Sequence, residues 1–136
     1  MTVRSIPSGQ PDSRVRFLRS ATLALTVETD GSTVCFQLAG ELDMASVQQV
    51  ELALDSIDAD THRLVFDLQQ VEFIDLAGLR AILGANEQGR RRGFGVKVIK
   101  PQGLASRIFT LTAIGRDIEF ADPVTPEQAR SAPNPG

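Results

Sequence analysis

Between two stretches of helical period lies a short run that is almost wholly apolar, Arg63-Leu64-Val65-Phe66-Asp67-Leu68. Such a run suits a strand buried on both faces, as inner strands of parallel sheets are. Upstream, Val47, Val50, Leu54 and Ile57 recur at three- and four-residue steps; downstream, Leu79, Ile82, Leu83 and Asn86 do the same. Each set is the stripe of an amphipathic helix. A helix, a buried strand and a second helix in succession leave few architectures open. The strand must be an inner member of a sheet, joined to its neighbours by right-handed crossovers.

The flanking segments fit that frame. Leu23, Leu25 and Val27 alternate with polar neighbours, as do Val34, Phe36 and Leu38, and Asp30-Gly31 between them marks a hairpin. Gly89-Arg90-Arg91-Arg92-Gly93 stops the second helix. Val96-Lys97-Val98-Ile99 reads as the next strand, closed by Pro101. Leu104, Ile108 and Leu111 form a last helical stripe with Gly115 as its stop, and Asp117-Ile118-Glu119-Phe120 reads as a final short strand. The predicted order is β-β-α-β-α-β-α-β. The fold class is α/β, a single domain with a mixed central sheet, parallel inner strands and helices packed on it. Residues 1–16, polar and carrying Pro7 and Pro11, read as a flexible tail. The domain spans residues 17–120, and residues 121–136, with four prolines, read as a disordered tail.

Whole-chain properties narrow the function. A chain of 136 residues suits one domain with its own core. A net charge of −3 argues against general nucleic-acid binding, which needs a basic surface. No apolar stretch approaches a membrane span, and the N-terminus lacks a signal's apolar core, so the chain reads as cytoplasmic and not membrane-inserted. The single cysteine, Cys35, lies in a strand-like run and reads as a small buried hydrophobe.

In such a sheet, partners and ligands meet the carboxyl ends of the strands. Two acids stand there: Asp43, which opens the first helix, and Asp75, which opens the second. Aspartate is a preferred N-cap, so capping alone accounts for either one, and a second role on top is equally open. Glu41 can face the same way as Asp43, but no nucleophile or electrophilic partner lies near them. His62, in the Asp58-to-Arg63 turn, falls on the sheet edge opposite Asp75, which argues against a Ser-His-Asp or Cys-His site. The acids Asp55, Asp58 and Asp60 lack the glycine and terminal glutamate of a calcium loop. Arg90, Arg91 and Arg92 suit the negative end of a helix dipole. No catalytic residue, metal site or cofactor is predicted.

Two motifs carry a resemblance. Leu38-Ala39-Gly40-Glu41-Leu42-Asp43-Met44-Ala45-Ser46 and, about thirty residues later, Val71-Glu72-Phe73-Ile74-Asp75-Leu76-Ala77-Gly78-Leu79-Arg80 together resemble the STAS domain of bacterial anti-sigma factor antagonists. The resemblance implies a non-catalytic regulator. Its partner would be an anti-sigma factor that is also a serine kinase of the histidine-kinase-like ATPase type. It implies a contact surface at Asp43, Asp75, Leu76, Ala77, Gly78 and Leu79. In that family the residue before the glycine is the phosphoacceptor hydroxyl. Here that position is Ala77, preceded by Leu76, so the switchable atom is missing. Docking is then constitutive or controlled elsewhere, with Ser46, Thr61 and Ser32 as positions to which control could have moved. Leu76 either extends an apolar contact patch or packs inward. The alternative reading is a STAS accessory subunit of a membrane transporter. A nucleotide-binding role is disfavoured, because Asp75 repels phosphate and only Arg80 lies nearby. The resemblance does not fix an oligomeric state.

Overall fold

The computed structural model describes residues 2–7, 13–111 and 117–123 of the chain. Six strands form one sheet in chain order: β1 Thr2–Pro7, β2 Ser13–Arg19, β3 Leu23–Asp30, β4 Thr33–Leu42, β5 Arg63–Ile74 and β6 Gly95–Ile99. Strands β1 to β4 pair antiparallel, while β4, β5 and β6 run parallel. Helix α1 (Val47–Asp55) crosses from β4 to β5, and α2 (Leu76–Arg92) from β5 to β6. A 3-10 turn at Gly103–Ser106 leads into α3, Arg107–Leu111. This is the expected α/β class: a mixed sheet with parallel inner strands.

Local chemistry explains the main elements. The β3–β4 hairpin turns at Gly31, whose φ of 62° is easy only for glycine. Helix α2 ends at Gly93 in the left-handed conformation, its N–H donating to the Gly89 carbonyl at 2.8 Å. Leu23, Leu25 and Val27 of β3, Val34, Phe36 and Leu38 of β4, and Leu64, Phe66 and Leu68 of β5 all point to the helix side. Phe36 and Phe66, paired across strands, meet edge to face at 5.4 Å. Arg92 gives the arginine run a second use. Its guanidinium donates to the Leu54 and Ile57 carbonyls at 3.0 and 2.8 Å, satisfying the open end of α1 from α2.

Four sequence expectations need correction. Residues 1–16 are not a tail throughout, since they hold β1 and the start of β2. The arginines that make this segment look solvated have partners some forty residues away: Arg14 pairs with Asp58 at 2.9 Å and Arg16 donates to Ser56 Oγ at 3.0 Å. The last helical stripe is shifted, with Leu104 and Leu111 exposed, Ala105 and Phe109 inward, and Ile108 half-buried against the core as expected. An edge-to-face contact of Phe109 with Phe120 at 5.6 Å fixes that phase. The final strand is reduced to one parallel bridge between Val98 and Phe120. The Arg63–Leu68 run is not covered on both faces either, because Val65, turned away from the helices, is only half-buried. The Gly115 stop and residues 124–136 lie outside the described residues.

Candidate functional site

The carboxyl ends of β4 and β5 come together where Leu42 pairs with Ile74. Both side chains are buried beneath the helices, so the chain that continues past them is held close on both sides. Asp75 opens α2 as its N-cap, and its carboxylate ties the two loops together. Oδ1 accepts the Gly78 N–H at 2.9 Å, a capping bond, while Oδ2 accepts the Met44 N–H at 3.1 Å. The Asp75 N–H donates in turn to the Leu42 carbonyl at 3.3 Å. Gly78 makes this approach possible, since a Cβ there would overlap the Leu42 carbonyl oxygen.

The loop between β4 and α1 is locked from inside. Asp43 does not open α1, as its position had suggested; one turn intervenes and Ser46 is the N-cap residue. Asp43 instead anchors that turn, its Oδ1 accepting the Ala45 N–H at 3.0 Å and the Ser46 N–H at 3.2 Å. Ser46 is buried. Its Oγ donates to the Glu41 carbonyl at 2.8 Å and accepts the Asp43 N–H at 3.0 Å. Thr61 is buried as well.

Of the six predicted contact residues, Asp43 and Asp75 are half-buried, Leu76 is 43% exposed and Ala77 is half-buried. Gly78 and Leu79 are buried, and Leu79, at 0%, belongs to the core. It contributes no surface, because the α2 stripe that faces the sheet passes through it. Two residues missed from sequence are also exposed and apolar at this end of the sheet. Met44, 78% exposed, sits against Asp75 through its backbone, and Phe73 is 49% exposed. Phe73 pairs with Glu41 on the sheet side away from the helices. The available signal was parity: Ile74 and Leu42 face inward, so Phe73 faces outward.

The two oxygens of the Asp75 carboxylate already hold backbone donors, and exposed Met44 and Leu76 adjoin it, one through its N–H and the other along the chain. His62 lies at the amino end of β5, where its N–H donates to the Ser32 carbonyl at 2.8 Å. Among the described residues, no group of histidine, cysteine and acidic side chains is placed to hold a metal ion. No described helix is long and apolar enough to cross a membrane.

The STAS domain family model matches residues 24–126. The chain belongs to the STAS domain family. Among solved structures, this STAS domain is similar to an anti-sigma factor antagonist from Mycobacterium paratuberculosis. The two share 28% identity over 82% of this chain and 96% of that one, with a TM-score of 0.63. The anti-sigma factor antagonist SpoIIAA in its unphosphorylated form matches at 20% identity and a TM-score of 0.63, over 77% of this chain and 91% of that one. The murine anion transporter Slc26a9 matches at 16% identity and a TM-score of 0.58, over 70% of this chain but 17% of that one. The last two similarities show the fold alone.

Proposed function

We propose that this STAS domain is a non-catalytic docking protein of the anti-sigma factor antagonist kind, acting in the cytoplasm without a phosphorylation switch. Its partner is an anti-sigma factor and serine kinase of the histidine-kinase-like ATPase type. The observation that carries this reading is the exposure of Met44 and Leu76 at the corner held by Asp75, with a methyl group at residue 77. Likeness to the mycobacterial antagonist supports the choice of partner class. An exposed apolar centre flanked by acids, Glu41 and Asp43 among them, fits a protein surface better than a small molecule.

Docking on this reading is constitutive. Ala77 cannot accept phosphate, the substitute hydroxyls of Ser46 and Thr61 are buried, and half-buried Ser32 lies in the β3–β4 turn at the opposite end of β4 from Asp43. The test uses the purified chain and its candidate kinase. Met44→Asp and Leu76→Asp each lower affinity at least tenfold, about 1.4 kcal/mol, while the melting temperature stays near wild type. Incubation with kinase and ATP leaves residues 32, 46, 61 and 77 unmodified by mass spectrometry. Unchanged binding in both variants, or capture of a permease and its ATPase instead of a kinase, sinks the proposal.

A further inference from the structure

Peroxides react with sulfur side chains, and this chain has three of them: Met1, Cys35 and Met44. Met1 lies outside the described residues. Cys35 is half-buried within β4, its thiol pushed up to about 12, chiefly by desolvation. The thiolate is the form that reacts, so Cys35 is held as an inert thiol near neutral pH. Met44 is the opposite case. It is 78% exposed, and a thioether has no proton to lose, so its reactivity follows access alone. The bonds that hold Met44 in place are made by the backbone. Its N–H donates to Asp75 Oδ2 at 3.1 Å, and the turn that follows is anchored by Asp43, whose Oδ1 accepts the Ala45 and Ser46 N–H groups at 3.0 and 3.2 Å. None of these bonds uses the sulfur, so a change in its polarity leaves the corner standing.

We infer that Met44 is an oxidation switch for docking, a modification site whose reactant is a peroxide. The inference rests on the docking surface proposed above. The thioether sulfur attacks one peroxide oxygen, and an S–O bond forms as the O–O bond breaks. The other oxygen leaves as water, taking the proton of the transferred one. Sulfur is oxidised by two electrons and the peroxide reduced by two. A dithiol reductase reverses the step, releasing the oxygen as water while its two thiols close to a disulfide. The sulfoxide puts a polar group where a flexible apolar side chain had met the partner, and burying it on docking costs free energy. Residue 77 offers no hydroxyl to a kinase. The same corner nevertheless presents a sulfur that takes up oxygen, so docking that is constitutive toward phosphorylation is reversible by oxidation.

The test treats the full chain with hydrogen peroxide and follows residues 35 and 44 by mass spectrometry of the digest. Met44 gains one oxygen at a rate within about threefold of N-acetylmethionine amide, as an open thioether should, while Cys35 lags at least about tenfold. The melting temperature of the oxidised chain stays near that of the untreated one. Its affinity for the candidate kinase falls at least about fivefold, and reductases for both sulfoxide epimers, supplied with a dithiol, restore it. Met44→Gln, close to the sulfoxide in polarity, binds as weakly before any oxidation. The affinity of Met44→Leu, whatever its value, does not change with peroxide. A Met44 that resists peroxide overturns the inference, as does an oxidised chain that binds as tightly as the untreated one. If the untreated chain does not bind the kinase at all, the docking surface itself fails and the switch falls with it.

Discussion

Asp75 makes two bonds that a pair of substitutions can separate. Alanine removes both: the cap to the Gly78 N–H and the bridge to the Met44 N–H. Losing an N-cap costs about 1 kcal/mol. Losing a backbone bond at a partly exposed loop adds about 0.5–1 kcal/mol, the lower part of the usual range. Asp75→Ala should therefore cost about 2 kcal/mol in total, or roughly 8 °C in melting temperature for a domain of this size. Asparagine ranks with aspartate as a cap, but its side chain has one acceptor oxygen where the site asks for two. If the oxygen keeps Gly78, the amide group faces the Met44 N–H, donor against donor; if it turns over, the cap is lost instead. Asp75→Asn should then cost about 1 kcal/mol, half the alanine value. Urea unfolding followed by far-UV circular dichroism measures both at constant m-value. An asparagine variant as stable as wild type, with alanine losing only the capping value, would mean that the bridge between the loops contributes nothing. The reasoning about a pre-set docking surface would fail with it.

Two of the three glycines of α2 should respond in opposite directions. Gly78→Ala drives a Cβ into the Leu42 carbonyl and costs about 3 kcal/mol or more. Gly84→Ala, with open space around it, stabilises by about 0.5–1 kcal/mol in the same assay. Arg92→Met abandons the Leu54 and Ile57 carbonyls and the face of Phe94, costing about 1–2 kcal/mol. Arg90→Met breaks only an exposed pair with Glu87 and stays within about 0.5 kcal/mol of wild type. The Cys35 thiol is pushed up from 9.0 to about 12, first by desolvation and then by Asp67 and Glu28. Its folded value exceeds its unfolded one, so the stability it contributes is whole below pH 9 and is lost as pH rises from 9 toward 12. A pH series of urea midpoints should fall more steeply there for wild type than for Cys35→Ala. An equal slope in both would refute the assignment.

What the sequence disclosed follows from how local each cause is. The β3–β4 hairpin needs only Gly31 and two alternating runs, and α2 needs only its stripe, the Asp75 cap and Gly93. All of these lie within a few residues of what they determine. The misread elements depend on distant partners. Arg14 and Arg16 look like a solvated tail until Asp58 and Ser56 are brought beside them by the fold. The phase of α3 rests on Phe120, across a segment whose spacing carries no period. At the candidate site, the acid, the glycine and Leu76 were legible, but Phe73 and Met44 were not. Phe73 takes its side from the pairing of β5 with β4, where register shifts between Gln37 and Ala39 and between Gly40 and Glu41 reset the parity. Met44 takes its exposure from the extra turn that moves the start of α1 from Asp43 to Ser46.

The same geometry explains why a methyl group at residue 77 matters beyond its failure to accept phosphate. Asp75 holds the Met44 loop through one oxygen and the first turn of α2 through the other, so the patch depends on a carboxylate with both oxygens in use. A phosphate on the first turn of α2 would add close to two negative charges beside that carboxylate. It would also compete for the same free amides, because a helix N-terminus is itself an anion site. Either effect draws Asp75 away from Met44 and loosens the surface from within, in addition to any repulsion from the partner. Ala77 removes that lever while leaving the capping bond untouched. In the docking surface proposed here, Asp43 and Ser46 hold the Met44 turn from inside, and Asp75, which reads from sequence as an ordinary helix cap, joins that turn to the start of α2.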